Sequence, residues 1–454
     1  MFVPSSASDR EAMLKVVGLQ RVADLFSDVP EQHRFPELNL PPALTEMEAV
    51  ASLSELAAAN SSTQDLTCFL GAGAYNHYIP AVVDAIIQRG EFLTAYTPYQ
   101  PEVSQGTLQA IFEYQTMIAN LTGMDVSNAS HYDGATAAAE AVVMAYHHFR
   151  GKRGKVLVSP ALNPQYRQVI RTYTQGYENF IVEGDASEVD PLSEPASLAG
   201  QIDANTALVI VQYPDFFGRI YDYSDLAAKA HEAGALLCVA VNPTALGLLK
   251  PPADFGADIV VGEGQPLGIP LSFGGPYLGI FATRKEFVRK LAGRLVGETV
   301  DQDGRRAYVL TLTAREQHIR REKATSNICT NQGLIALAAT IYMSLLGKQG
   351  LRQVAELCYH KAHYAATKIA ALPGFSLCSG APFFHEFIVC CPAPVADINQ
   401  HLLDYGILGG YDLGQDYPQL ENHMLVAVTE MVSQQEIDDL CNALAEFSGE
   451  VSND

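Results

Sequence analysis

The sequence predicts an α/β protein with a mostly parallel central sheet and a smaller α+β domain at its C-terminal end. Between Phe69 and about Thr330, short apolar strands alternate with amphipathic helices, the order of repeated βαβ units. Beyond Thr330 the pattern changes to two helices, several strands and a terminal helix. The chain has 454 residues, 48% of them hydrophobic. A chain of that size buries roughly 75% of the surface it exposes when unfolded, enough for two packed cores.

In chain order, residues 1–68 read as a helical arm. Met13 to Phe26 has apolar positions at helical spacing, Leu38 to Pro42 breaks the pattern, and Leu44 to Ala59 resumes it. Residues 69–330 form the large α/β domain. Its strands are expected at Val156 to Ser159, Ala207 to Gln212, Leu236 to Val241 and Asp258 to Val261, with a helix at Tyr223 to Ala233. Residues 331–454 form the small domain, with helices at about Gly333 to Leu346, Leu351 to Ala371 and Gln434 to Phe447. No internal repeat or low-complexity segment interrupts this plan.

Composition narrows the function classes. The longest apolar runs, Ala235 to Val241 and Ile335 to Tyr342, fall short of the roughly 20 residues a membrane span requires. Met1 to Leu19 is broken by Asp9, Arg10 and Glu11 and lacks the layout of an export signal, so a cytoplasmic location is expected. The eight cysteines lack the paired spacing of a zinc site and read as buried free thiols. No metal is expected. A net charge of −22 repels nucleic acid and anionic membrane surfaces alike.

Several segments have residues suited to chemistry. Phe69-Leu-Gly-Ala-Gly-Ala-Tyr75 lacks the glycine spacing of a dinucleotide loop and reads as a tight turn into a domain. In Tyr96-Thr-Pro-Tyr-Gln-Pro-Glu102, followed by Ser104, Gln105 and Gly106, two prolines hold the chain extended while phenols, an amide and a carboxylate project. At Tyr132-Asp-Gly-Ala-Thr136, a plain helix cap competes with an anion site at Gly134 and Thr136. His147 and His148 sit late in that helix and read as structural. Gly262-Glu-Gly-Gln-Pro266 and Ser272-Phe-Gly-Gly-Pro276 follow a strand, where open parallel sheets place ligands, yet they also suit simple turns. Between Arg284 and Lys323 lie eleven basic residues against six acidic ones, a basic island in an acidic chain.

Three longer stretches carry a family resemblance: Phe69 to Pro80, Ala95 to Gly106, and Glu298 to Arg306 continuing through Thr325 to Asn331. They resemble the P-protein of the glycine cleavage system, glycine dehydrogenase (decarboxylating), and the length is similar to its alpha half. The resemblance implies a fold-type-I pyridoxal phosphate architecture, like that of aspartate aminotransferase. Such sites need a lysine to carry the cofactor and an acidic residue on the preceding strand to hold the ring proton. By resemblance the acid falls near Val239 and the lysine near Gln265 or Pro266, and neither position is competent. No lysine occurs between Lys250 and Lys285, so a small alignment error does not rescue the site.

The resemblance therefore implies a subunit with no catalytic residue of its own, active as glycine dehydrogenase (aminomethyl-transferring) only with an obligate beta subunit. Pyridoxal phosphate is expected on that beta subunit and not on this chain. Lipoylated H-protein is expected to receive the aminomethyl group, with T-protein and L-protein as functional partners. Fold-type-I sites borrow groups across a dimer interface, which makes Tyr96, Thr97, Tyr99, Gln100, Glu102, Ser104 and Gln105 the candidate contribution to the partner's site. Arg320, Arg321 and Lys323 are the candidate docking residues for the acidic H-protein. A purely structural or regulatory subunit is the alternative. A self-sufficient enzyme with another cofactor finds no nucleophile or metal set to support it.

Overall fold

The computed structural model describes residues 6–177, 181–183, 190–194 and 196–451. The chain divides into two compact units, Met1–Ser61 and Ser62–Asp454. In the first, Ser6 and Thr45 accept the N–H groups of Asp9 and Glu48 and open helices Ala7–Val17 and Glu46–Ala58. The first helix starts and stops earlier than the apolar spacing suggests, because Gly18 at φ 78° ends it in a left-handed cap. Neither helix buries a residue. The second unit begins before the expected boundary at residue 69, because Thr67–Cys68 pairs in parallel with Ile407–Leu408.

The second unit is built on a seven-stranded sheet. Its strands are β1 (Val126–Ser127), β2 (Lys155–Val158), β3 (Ile181–Glu183), β4 (Thr206–Tyr213), β5 (Leu236–Val241), β6 (Ile259–Glu263) and β7 (Gly279–Thr283), ordered β1-β7-β6-β5-β4-β2-β3. The five strands from β6 to β3 run parallel, β7 runs antiparallel to them, and β1 pairs antiparallel with β7. β4 and β5 are rich in β-branched and aliphatic residues and buried on both faces, as central parallel strands must be. Alternate residues separate the two faces. Val209, Val211, Leu237 and Val239 pack into one core, and Leu208, Ile210, Cys238 and Ala240 into the other.

An antiparallel hairpin follows, β8 (Leu295–Val300) with β9 (Arg306–Thr311). A smaller four-stranded sheet follows, of β10 (Ser376–Leu377), β11 (Glu386–Cys390), β12 (Tyr411–Asp412) and β13 (His423–Ala427), ordered β10-β11-β13-β12. Helix Gly333–Ile369 links the two sheets, and by length and composition it is the one described helix able to cross a membrane. It is a core helix here. Ala336, Ala339 and Tyr342 pack on the large sheet, whereas Ala362, Ala365 and Ile369 pack on the small one. The handover falls at Gly347, whose φ of 56° breaks the helix between the two stretches expected from the sequence.

One expectation is corrected. Cys378 and Cys390 are joined as a disulfide, with the other six cysteines free. Spacing conceals this pair, since β10 and β11 bring the two residues together only by antiparallel pairing.

Candidate functional site

The C-terminal ends of parallel strands are where an open α/β sheet holds its ligand. Here that end is closed by the chain itself. Asp133 caps helix Gly134–His148, its carboxylate accepting the Thr136 N–H at 2.7 Å. The N–H of Gly134 donates to the Glu263 carboxylate at 3.0 Å, and the N–H groups of Gln265 and Leu278 donate to the other Glu263 oxygen at 3.0 and 2.9 Å. Thus both amides that suggested an anion site at Gly134 and Thr136 are engaged by internal carboxylates. Tyr166 closes the position from above, and a Cβ on Gly134 would fall 1.9 Å from its hydroxyl. Burial pushes the Glu263 pKa up to about 8, against the pull of the three amides.

Gln265, at the expected lysine position, is buried and fully bonded. Its oxygen accepts the Tyr75 N–H at 2.8 Å, and its amide donates to the carbonyls of Tyr75 and Ile269 at 2.9 and 2.8 Å. Pro266 lines the remaining cavity with Gly73, Tyr75, Asn163, Tyr166 and Ala240. Ala240 and Val241, rather than Val239, are the β5 residues that line it; Val239 points to the opposite core, and none of the three carries an acid. The cavity holds about 30 Å³, room for a few waters at most.

The Phe69–Pro80 segment crosses from this cavity to the small sheet. Ala72 donates its N–H to Glu386 at 2.8 Å and Tyr75 its hydroxyl at 2.7 Å. His77 pairs with Glu430 at 2.7 Å, and Thr429 donates to the Asn76 carbonyl at 2.6 Å. Those bonds account for the motif as an anchor between the two sheets.

The Ala95–Gly106 loop divides into held and free residues. Gln105 bonds the Pro101 carbonyl and both backbone groups of Tyr308 on β9, at 2.8 to 2.9 Å. Ser104 stands before helix Gln105–Thr122 without a side-chain cap, and Thr97 is half-buried. The Tyr99 hydroxyl accepts from Arg294 at 3.0 Å, and its ring meets His318 edge-on at 5.4 Å. Arg294 is only 3% exposed and also donates to Cys329 and Asn331. Tyr96, by contrast, is 82% exposed. Its hydroxyl and the side chains of Gln100 and Glu102 bond to nothing among the described residues. Beside the loop run two apolar grooves of about 270 and 490 Å³ that share Phe92, Ala110 and Leu337.

Arg320, Arg321 and Lys323 are exposed, and no ion pair among the described residues engages them. Glu316 is buried beside His318, and Asp301 accepts the N–H groups of Asp303 and Arg305 in its own turn. Through His318 this segment reaches Tyr99, so the loop and the basic island form one surface. Arg294, His318 and Tyr166 were not singled out from the sequence, and no spacing signal marks them.

The glycine cleavage system P-protein family model matches residues 1–444. A protein of Thermomicrobium roseum named "Probable glycine dehydrogenase (decarboxylating) subunit 1" is 56% identical over 446 residues, covering 98% of this chain and 99% of that one. A protein of the same name from Geobacillus kaustophilus is 52% identical, covering 98% of each. A solved glycine decarboxylase (P-protein) of the glycine cleavage system, in inhibitor-bound form, superimposes with a TM-score of 0.89 at 43% identity, covering 98% of this chain and 99% of that one. A Burkholderia pseudomallei sphingosine-1-phosphate lyase shares the fold, with a TM-score of 0.65 at 15% identity over 92% of this chain and 94% of its own. The fold class expected from the sequence, fold-type-I pyridoxal phosphate architecture, is that of these neighbours.

Proposed function

This chain belongs to the glycine cleavage system P-protein family, whose model spans residues 1–444, and from that premise we propose that it works as the non-lysine-bearing alpha subunit of glycine decarboxylase. Together with a beta subunit it decarboxylates glycine, releases CO2 and passes the aminomethyl group to the lipoyl arm of H-protein. The observation that carries this assignment of labour is the closed strand end. Pyridoxal phosphate does not fit the residues there. Glu263 occupies the amides of Gly134, Gln265 and Leu278, Gln265 stands in for the lysine, and about 30 Å³ remains. On this reading the cofactor is held by the beta subunit, and no step of the reaction runs through this chain's own cavity.

The chain's contribution is enclosure and orientation of the partner's site by the Ala95–Gly106 loop. Tyr96, Gln100 and Glu102 are exposed with unspent hydrogen-bonding capacity, while Arg294 and Gln105 keep the loop in one shape. Preorganised groups of this kind lower a barrier without having to reorganise during reaction. The apolar grooves beside the loop supply contact area for the beta subunit.

The test is reconstitution, reading glycine-dependent exchange of labelled bicarbonate and, separately, pyridoxyl-lysine after borohydride reduction. Exchange is expected only when both chains are present, with the pyridoxyl group recovered from the beta chain alone. A stoichiometric pyridoxyl-lysine in this chain overturns the reading.

A further inference from the structure

Cys378, Cys390 and His423 are far apart in sequence and meet on one face of the small sheet. Pairing places Cys390 of β11 opposite His423 of β13 on one side and Ser376 of β10 on the other. Side chains alternate along a strand, so Cys378, two residues after Ser376, returns to the same face. The two sulfurs and an imidazole nitrogen all lie within 4.8 Å of one another, and all three residues are half-buried, within reach of solutes.

The imidazole is held by a backbone carbonyl through one of its two nitrogens. Its Nδ1 lies 2.7 Å from the carbonyl oxygen of Glu421. A carbonyl only accepts, so Nδ1 carries the proton and Nε2 keeps its lone pair. Ligating histidines are held in this way, by a carbonyl on the outer nitrogen. A plain structural cross-link needs no such neighbour, and this one joins strands already paired by their backbones.

We propose that Cys378, Cys390 and His423 form a Zn²⁺ site that is available when the two cysteines are reduced and closed when they are joined as the disulfide. Two thiolates and a neutral imidazole suit a borderline-soft divalent ion, with a fourth position left for water. Opening the site takes two electrons: a small dithiol reduces the S–S bond to two thiols and is itself oxidised to its cyclic disulfide. Zn²⁺ then binds both sulfurs, and two thiol protons pass to solvent. Oxidation by a disulfide-class acceptor reverses the sequence and expels the ion. Either cross-link fixes the two-residue edge strand β10 to β11, the strand that also presents Glu386 to Ala72 and Tyr75.

Cobalt(II) serves as the probe on the full chain, after phosphine reduction under argon. The reduced chain is expected to bind one equivalent, with thiolate-to-cobalt absorption in the near ultraviolet and tetrahedral bands in the visible, displaced by one equivalent of Zn²⁺. Diamide-oxidised chain should show neither. Cys378→Ser and Cys390→Ser should each abolish or halve the thiolate band, His423→Ala should weaken binding by about 10-fold or more, and Cys391→Ser should change nothing. The serine variants are close to isosteric, and a circular dichroism melt checks that each folds. Absence of the band in chain whose eight cysteines all titrate as thiols overturns the proposal. So does a disulfide that survives reduction in the folded chain, or an undiminished band in Cys390→Ser.

Discussion

The Glu263 carboxylate accepts the backbone N–H of Gly134 at 3.0 Å, at the first turn of the helix where a fold-type-I enzyme would meet its cofactor's anion. An internal carboxylate in that place has a cost that depends on pH. Burial raises its pKa to about 8, above the ordinary value of 4.5. A raised acid stabilises the fold fully below its unfolded pKa and loses that contribution as pH rises through the folded one. Stability is therefore expected to fall between about pH 4.5 and 8, by at most about 1.4 kcal/mol per pH unit from this group. Glu263→Gln should flatten that slope in denaturant midpoints measured across the window. An unchanged slope would show that other groups set it.

Tyr96 and Tyr99 are expected to behave differently, although the sequence presents them as a matched pair. Tyr96→Phe removes a hydroxyl that nothing among the described residues uses, so assembly and Tm should hold while turnover of the complex falls. Loss of one well-placed donor in a transition state costs about 10²-fold in rate. Tyr99→Phe instead removes the acceptor of Arg294, a buried cation left with one partner fewer. It should lower Tm by a few degrees as well as turnover, reflecting about 1–2 kcal/mol for a bond to a charged donor half open to water. Thermal melts of both variants, set beside turnover, separate the two roles. If Tyr96→Phe keeps full activity, the purely structural reading of the subunit gains.

The difference between those tyrosines marks what the sequence could convey. β5 was legible at both ends because Leu236-Leu-Cys-Val-Ala-Val241 is continuously apolar, as a doubly buried strand must be. The absence of a lysine was legible because absence needs no geometry. The filling of the cavity was not, since Glu263 acts through amides at 134, 265 and 278, which only the fold brings together. Arg294 escaped notice for the same reason: within the basic island it looks like its neighbours, and only its burial under Tyr99 makes it different. The β8–β9 hairpin was read as motif alone, because Gly297 and Glu298 interrupt its apolar alternation.

Partner assembly should depend on the grooves flanking the loop. Leu345 is exposed in the wider groove, and Leu93 in the narrower one. Obligate interfaces bury more than about 2,000 Å², with apolar centres that tolerate no unpaired charge. Leu345→Asp should leave this chain's own melt nearly unchanged, because the side chain is already in water, and should weaken association with the beta subunit by at least about 10-fold. Light scattering of mixed chains reads the effect. Assembly of the variant at wild-type affinity would remove this groove from the interface.

The basic segment offers a test of the proposed approach of H-protein. Arg320, Arg321 and Lys323 are exposed and unpaired among the described residues, and they stand next to the loop through the contact of His318 with Tyr99. The chain as a whole carries −22 and repels an acidic partner, so a local excess of positive charge beside the site provides a favourable approach. Steering of this kind acts mainly on association rate and fades as ionic strength passes about 0.1 M, where the Debye length is near 10 Å. Reversing all three to glutamate should raise the apparent KM for H-protein several-fold at low salt. At high salt the variant should converge on wild type, with the KM for glycine little changed throughout. Because none of the three side chains is buried or ion-paired among the described residues, the fold should survive the reversal, and a circular dichroism melt verifies it. A KM for H-protein that does not move at any salt concentration removes this surface from the approach, since uniform loss of steering cannot leave the low-salt rate intact.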